Sequence, residues 1–182
     1  PQGGIGFIDI SDAANPLPGG FLSLDGEPTS VVMAGAHALV GVNTSASYLE
    51  PSSKLVMVDI AAKTIVGECD LGGQPDSVAL SKDQSLLAVA IENERDEELN
   101  EGALPQLPAG YVSLVSLSGG ALDCGTLRQV TLTGLDMQDA ADPEPEFVDF
   151  NAQNELVLTL QENNHLVVID AVSGEVLNDF TA

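Results

Sequence analysis

Two Glu-Asn pairs are the residues of this chain whose types and positions point most directly to chemistry. Glu92-Asn93 is followed by Glu94 and Asp96, in a stretch (residues 92–102, ENERDEELNEG) that holds six carboxylates and one arginine. Glu162-Asn163 occupies the equivalent position in a shorter polar stretch further along the chain. Carboxylates, amides and carbonyls are the ligands of Ca²⁺, which takes about six to eight oxygen atoms. The two pairs therefore predict a divalent-cation site.

The charge balance excludes two classes of partner. The 182 residues include 28 acidic and 5 basic side chains, and the formal net charge is −23. Nucleic acid and anionic membrane surfaces bind through lysine and arginine, so neither is an expected partner. No apolar run approaches the roughly 20 residues of a membrane helix, so membrane insertion is not expected either. Such acidity favours salt-rich or calcium-containing surroundings, and we expect an extracellular or cell-surface location with the targeting signal outside this segment.

A repeat of four short strands positions these residues. Its first two strands, A and B, follow a proline and are joined by a short polar turn, in segments that begin at Glu27, Gln74 and Glu144. Its last two, C and D, recur in segments that begin at Ile5, Lys54, Tyr111 and His165. Asp9, Asp59, Ser116 and Asp170 share one register, which gives spacings of 50, 57 and 54 residues. Repeats at such a period are the first feature to seek in a sequence.

The repeat predicts an all-β fold, a β-propeller of four-stranded antiparallel blades. The expected units are a half blade over residues 1–24 and blades over 27–71, 74–133 and 144–182. A closed propeller typically has about four to eight blades, so three and a half blades do not close a ring. We expect the remaining blades, from the same protein or another fragment of it, to be partners of this chain.

The repeats also resemble known families. The pattern P-x-x-V-x-x-S-x-D with a following L-x-V-A, best seen in residues 75–90, and L-x-V-x-D-x-x-S-G in residues 166–174 resemble YVTN-type repeats of surface-layer propellers. AIENERDEELNEGALPQLPAG and VLTLQENNHLVVIDAVSGEV resemble, more narrowly, the secreted choice-of-anchor or phytase-esterase-like propellers. The resemblance implies a secreted or cell-surface propeller. It implies little about chemistry, because propellers host unrelated functions.

The longest loops are predicted on one face of the propeller. B–C loops and D–A connections share a face, and the long ones begin at Asn43, Glu92 and Thr133. Function in repeat scaffolds tends to reside on the loop-bearing face. The predicted metal ligands are Glu92, Asn93, Glu94, Asp96, Asp142, Glu162 and Asn163. Two other interpretations stay open: a solvated acidic loop, and Glu-Asn pairs that cap their hairpins, with the glutamate paired to Arg95.

The remaining candidates for chemistry are few. No nucleophile elbow, Walker loop, dinucleotide fingerprint or zinc-protease motif is present, so no catalytic residue and no organic cofactor is assigned. His37 is expected on the surface, whereas His165 lies beside the acidic face as a candidate base, ligand or plain hairpin residue. Cys69 and Cys124 are either a disulfide, with the turn at 118–126 reaching across, or two free thiols.

The sequence favours a binding or structural module of the cell surface, with divalent cations on its acidic loop face and a cell-surface or glycan ligand as its candidate partner. The alternative, which comes from the resemblance, is a calcium-dependent, phytase-like phosphoesterase. Phosphate sites also need lysine or arginine, and the loops of this face offer Arg95 and Lys54.

Overall fold

A computed structural model describes residues 3–182 as fourteen strands in four antiparallel sheets. The first sheet holds β1 (Gly4–Asp9) and β2 (Leu17–Ser23), and the second holds β3 (Glu27–Ala34), β4 (His37–Asn43), β5 (Ser53–Asp59) and β6 (Thr64–Asp70). The third holds β7 (Pro75–Leu80), β8 (Leu86–Ile91), β9 (Tyr111–Ser118) and β10 (Ala121–Thr131), and the fourth β11 (Phe147–Phe150), β12 (Glu155–Leu160), β13 (His165–Asp170) and β14 (Glu175–Thr181). The described residues form one short 3₁₀ turn, Leu99–Gly102, and no helix among them is long and apolar enough to cross a membrane.

Each four-stranded sheet is a simple meander, with strands ordered as in the sequence. The second and third strands hold most of the buried residues, and in β8 all six residues are buried. This follows from its place between two strands and two neighbouring sheets, where both side-chain faces must be apolar. The fold-class prediction, an all-β propeller built from four-stranded blades, is confirmed.

The blades pack side by side through their first strands. β3 contacts β7, and β7 contacts β11, with a separate apolar core between each pair of adjacent sheets. A serine of one blade accepts a hydrogen bond from the next blade: Ser30 Oγ from Val78 N at 3.1 Å, and Ser77 Oγ from Val148 N at 3.5 Å. The first strand of each blade is therefore its innermost strand.

The recurring aspartates end the third strand of their blades and close the turn that follows. Asp9 Oδ1 accepts from Ser11 N at 2.9 Å, Asp59 Oδ1 from Ala62 N at 2.8 Å, and Asp170 Oδ1 from Val172 N at 2.8 Å. Hydrogen bonds to the charged form favour it, and they lower the pKa of Asp9 and Asp170. These turns lie at the ends of the strands opposite to the acidic loops.

One strand begins earlier than the sequence predicts. The sequence predicts a turn over residues 118–126. In the structure the turn consists only of Gly119 and Gly120, both with positive φ, and β10 starts at Ala121. Its pairing with β9 shifts register between Asp123 and Arg128, and this bulge carries Cys124 to the rim of the preceding blade. There Cys124 forms a disulfide with Cys69 of β6, with 5.5 Å between the Cα atoms. The pairing that the sequence left open is thus a bridge.

Candidate cation site on the acidic face

Two long loops meet on the acidic face. They are the loop 92–110, between β8 and β9, and the connection 132–146, between β10 and β11. Arg95 N donates to Glu144 Oε1 at 2.9 Å, and Gln106 N donates to Asp142 Oδ2 at 2.8 Å. The loops that were predicted to share a face therefore touch, and they hold acidic side chains of two blades together.

The two asparagines of the Glu-Asn pairs brace these loops. Asn93 Oδ1 accepts from Gln74 N at 2.9 Å, and its Nδ2 donates to Ala109 O at 3.1 Å. Asn163 Oδ1 accepts from Glu144 N at 2.9 Å, and its Nδ2 donates to Asp142 O at 3.1 Å. Both side chains are buried. Each asparagine thus ties the end of the second strand to the residue before the proline that begins the same blade.

Arg95 is held by the neighbouring connection. Its Nε lies 3.3 Å from Asp142 Oδ2 and 3.0 Å from Glu144 Oε2, and its Nη2 donates to Asp142 O at 2.8 Å. The expected pairing of Arg95 with the glutamate of a Glu-Asn pair is wrong. The backbone of Arg95 donates to Glu144 Oε1, which places the residue beside the connection 132–146. Asp142, a predicted metal ligand, is buried in this network.

Four carboxylates occupy equivalent places in two adjacent blades. Asp76 and Glu146 each follow the proline that leads into the innermost strand, while Glu92 and Glu162 each follow the second strand. The charges of Asp76, Glu144 and Glu162 raise the pKa of Glu92, and Glu162 raises the pKa of Glu146. The chain therefore brings together like charges that repel unless they are protonated or neutralised.

Burial and this repulsion raise the pKa values of the group. Burial, followed by the charges of Asp76 and Glu94, raises the pKa of Glu92 to about 8. Burial also raises the pKa of Glu144 to about 7, although Arg95 acts in the opposite direction. Burial and the carboxyl of Glu162 raise the pKa of Glu146, and burial and Glu94 raise that of Asp76.

A cleft of about 880 Å³ opens over Glu92, Glu144 and Glu162, whereas Asp76 and Glu146 do not line it. The predicted ligands that line it are Glu92, Glu94, Asp96 and Glu162, together with Glu144, Arg95 and Tyr48 of the loop between β4 and β5. Asp96 is held by Gln106, whose Oε1 accepts from Asp96 N at 2.9 Å. Within residues 3–182, no three His, Cys, Asp or Glu side chains are placed close enough together to hold a metal ion as they stand. The metal-ligand assignment stays a prediction.

Asp76, Glu144 and Glu146 were not among the predicted ligands, although Glu144 and Glu146 lie in the acidic connection that was predicted on this face. The signal was the recurrence of Gln-Pro-Asp at 74–76 and Glu-Pro-Glu at 144–146, one before each innermost strand. His165 lies inside its blade, where its Nε2 is 2.9 Å from Asp179 Oδ2 of β14. It does not line the cleft. His37 begins β4 and is partly buried.

Radiating four-stranded sheets with acidic loops on one face define the chain as a β-propeller segment. The family model of the choice-of-anchor I domain matches residues 2–178, so the chain belongs to this family. No curated protein matches it.

The similar solved structures support the fold alone. Hydrazine synthase of Kuenenia stuttgartiensis is 13% identical over 93% of this chain and 46% of that chain, with a TM-score of 0.64. The β-propeller domain of Myceliophteria thermophila Cps50 (Swd1) is 14% identical over 97% and 53%, with a TM-score of 0.61. The β-propeller domain of the trilobed protease from Pyrococcus furiosus, described as having an open velcro topology, is 11% identical over 85% and 42%, with a TM-score of 0.52. The chain spans about half the length of these structures.

Proposed function

We propose that this chain is part of a larger closed propeller that serves as a binding or structural module of a secreted or cell-surface protein, and that its acidic face binds divalent cations, Ca²⁺ first among them. Membership of the choice-of-anchor family supports the surface location. The disulfide between Cys69 and Cys124 supports an oxidising, extracellular setting. A cell-surface or glycan ligand remains the candidate partner of the module.

The observation that carries the cation proposal is the pairing of equivalent carboxylates from two blades. Asp76 and Glu92 belong to one blade, Glu146 and Glu162 to the next, and they interact across the boundary. A divalent cation between them would offset the repulsion and favour the ionised form that burial disfavours. We expect these four and Glu94 to supply the ligands, while Asn93 and Asn163 keep the loops in place.

Other blades of the same protein are the proposed partners of this segment. Ile8, the residue before Asp9, is 68% exposed. The residues at the same position in the three complete blades are covered by the preceding blade, and their exposed fractions are 0% for Val58, 1% for Val115 and 0% for Ile169. An apolar side chain at this position is buried in every complete blade but exposed in the first sheet. This difference supports the proposal that another blade precedes the first sheet in the whole protein.

No observation on the described residues specifically favours the phosphoesterase alternative. Both basic side chains that the sequence offers to this face are engaged: Arg95 with Asp142 and Glu144, and Lys54 with Glu68 at 3.2 Å. A substrate phosphate would have to compete with these carboxylates for them. We therefore advance cation binding without an assigned reaction.

A calcium titration followed by thermal melting tests the cation proposal. We expect the melting temperature of the 182-residue chain to rise by roughly 5–10 °C and to saturate between micromolar and millimolar Ca²⁺. The Glu92→Gln/Glu162→Gln variant should lose most of this rise. The matched control, Glu155→Gln/Glu175→Gln, removes two charges at the opposite strand ends and should keep it. A rise that NaCl of equal ionic strength reproduces would indicate screening alone and reject the site.

A further inference from the structure

An uncovered apolar surface lies where the first, two-stranded sheet meets the innermost strand β3. Val31 stands opposite Val40 in the β3–β4 pair, as Val78 stands opposite Val89 and Val148 opposite Leu158. The exposed fraction of the three equivalent valines is 58% for Val31, 7% for Val78 and 2% for Val148. Met33, two residues along, is also exposed, whereas its equivalent Phe150 is buried.

The two buried valines show what covers this position. Val78 packs against the blade of β3, and Val148 against the blade of β7. In each case the innermost strand of the earlier blade brings a serine hydroxyl to the backbone N–H of the valine, from Ser30 to Val78 and from Ser77 to Val148. The equivalent cover for Val31 is an innermost strand in the sheet of β1 and β2, and within residues 3–182 that sheet has none.

The edge of β1 supports the same conclusion independently. β5, β9 and β13, the third strands of the complete blades, each pair with strands on both sides. β1 occupies the same place in the repeat but pairs with β2 alone, so its other edge presents unpaired backbone groups. Such an edge is a template for a further strand.

We propose that the free edge of β1 and the surface of Val31 and Met33 together bind one antiparallel β-hairpin of the same repeat, supplied by the rest of the protein. Its second strand pairs with β1. Its first strand packs across Val31 and Met33 and presents a serine or threonine hydroxyl to Val31 N. The inference deepens the proposal of further blades by naming the surface and its occupant, and it is independent of cation binding.

The chain carries a suitable probe in its own sequence. Residues 74–93 form such a hairpin, with Ser77 at the hydroxyl position and Val78 after it. We would fuse a copy of these residues ahead of Gly3 through the linker sequence 104–110 and measure hydrogen exchange of the full chain by NMR. The β1 amides of Gly6 and Ile8, which face the free edge, should exchange at least tenfold more slowly in the fusion, and the melting temperature should rise by several degrees.

Two matched controls separate docking from nonspecific stabilisation. A fusion with valine in place of the copied Ser77 should keep the strand pairing but lose part of the rise, because Val31 N then lacks its acceptor. A fusion with Val31→Asp should lose the protection of β1. The proposal is overturned if the β1 amides exchange equally fast with and without the hairpin. It is also overturned if the unfused chain is a dimer with β1 already protected, since a second copy would then occupy the surface.

Discussion

At the residue scale, the Glu-Asn pairs divide into two roles. The glutamates Glu92 and Glu162 face the cleft, whereas Asn93 and Asn163 are buried and bonded to backbone groups. The hairpin-capping interpretation therefore accounts for the asparagines, and the carboxylates carry the cation proposal. An amide suits this buried role because it donates and accepts at once.

Replacing Asn163 tests this role. Asn163→Ala leaves Glu144 N without its acceptor and Asp142 O without this donor, both in buried surroundings. We expect the free energy of unfolding, measured by urea denaturation, to fall by about 2–3 kcal/mol. Asn178→Ala, on the exposed face of β14, is the matched control and should change it by less than about 0.5 kcal/mol. Equal effects of the two substitutions would contradict the structural role of Asn163.

Some residue roles follow from the sequence and others do not. The register of Asp9, Asp59 and Asp170 is visible in the repeat, because a turn after a strand needs a side-chain acceptor at a fixed offset. The partners of Arg95 are not visible, since they lie in a connection whose path depends on the packing of two blades. Asp76 was missed because it is a single acidic residue beside a strand, outside any run of charge, whereas Glu144 and Glu146 lie in an acidic run from which only Asp142 was chosen as a ligand.

At the element scale, alternating and fully apolar runs separated by polar turns were enough to predict the strands and their order. The start of β10 was not predictable, since a bulge is a feature of strand pairing rather than of local composition. The same bulge places Cys124 beside Cys69, so the bridge could not be predicted either. The disulfide links the outermost strands of two adjacent blades.

Removing the bridge should weaken the contact between these blades. Cys69 and Cys124 are 55 residues apart in the sequence, and closing a loop of that length contributes about 4 kcal/mol in the chain-entropy account. We expect Cys69→Ala/Cys124→Ala to lower the melting temperature by on the order of 10 °C. Reduction of the parent chain should have a similar effect and should leave the variant unchanged. A variant as stable as the parent would show that the bridge does not contribute to stability.

At the scale of the whole molecule, the gathered carboxylates make stability depend on pH. Glutamate titrates near 4.5 in the unfolded chain, whereas burial raises the pKa of Glu92 to about 8 and those of Glu146 and Asp76 also rise. Between about pH 4.5 and 8 the folded chain holds protons that the unfolded chain has released. Stability therefore falls as pH rises through this window.

Melting between pH 5 and pH 8 in EDTA, at constant ionic strength, measures this dependence. We expect a fall on the order of 5 °C and a shallower fall for Glu92→Gln, which has no charge to bury. The aspartates with lowered pKa, Asp9, Asp83 and Asp170, have the opposite effect only in more acidic solution, outside this window. A melting temperature that rises from pH 5 to pH 8 would contradict the assignment.

The hydrogen bonds from valine amides to serine hydroxyls between innermost strands give the propeller a direction. In both cases the accepting hydroxyl belongs to the earlier blade and the donating amide to the later one: Val78 N donates to Ser30 Oγ, and Val148 N donates to Ser77 Oγ. The hydroxyl that accepts each of these two hydrogen bonds thus belongs to the blade that comes earlier in the chain. Folding in the order of translation would form each acceptor before the blade that docks on it, and in the fourth sheet Phe147 stands at the serine position.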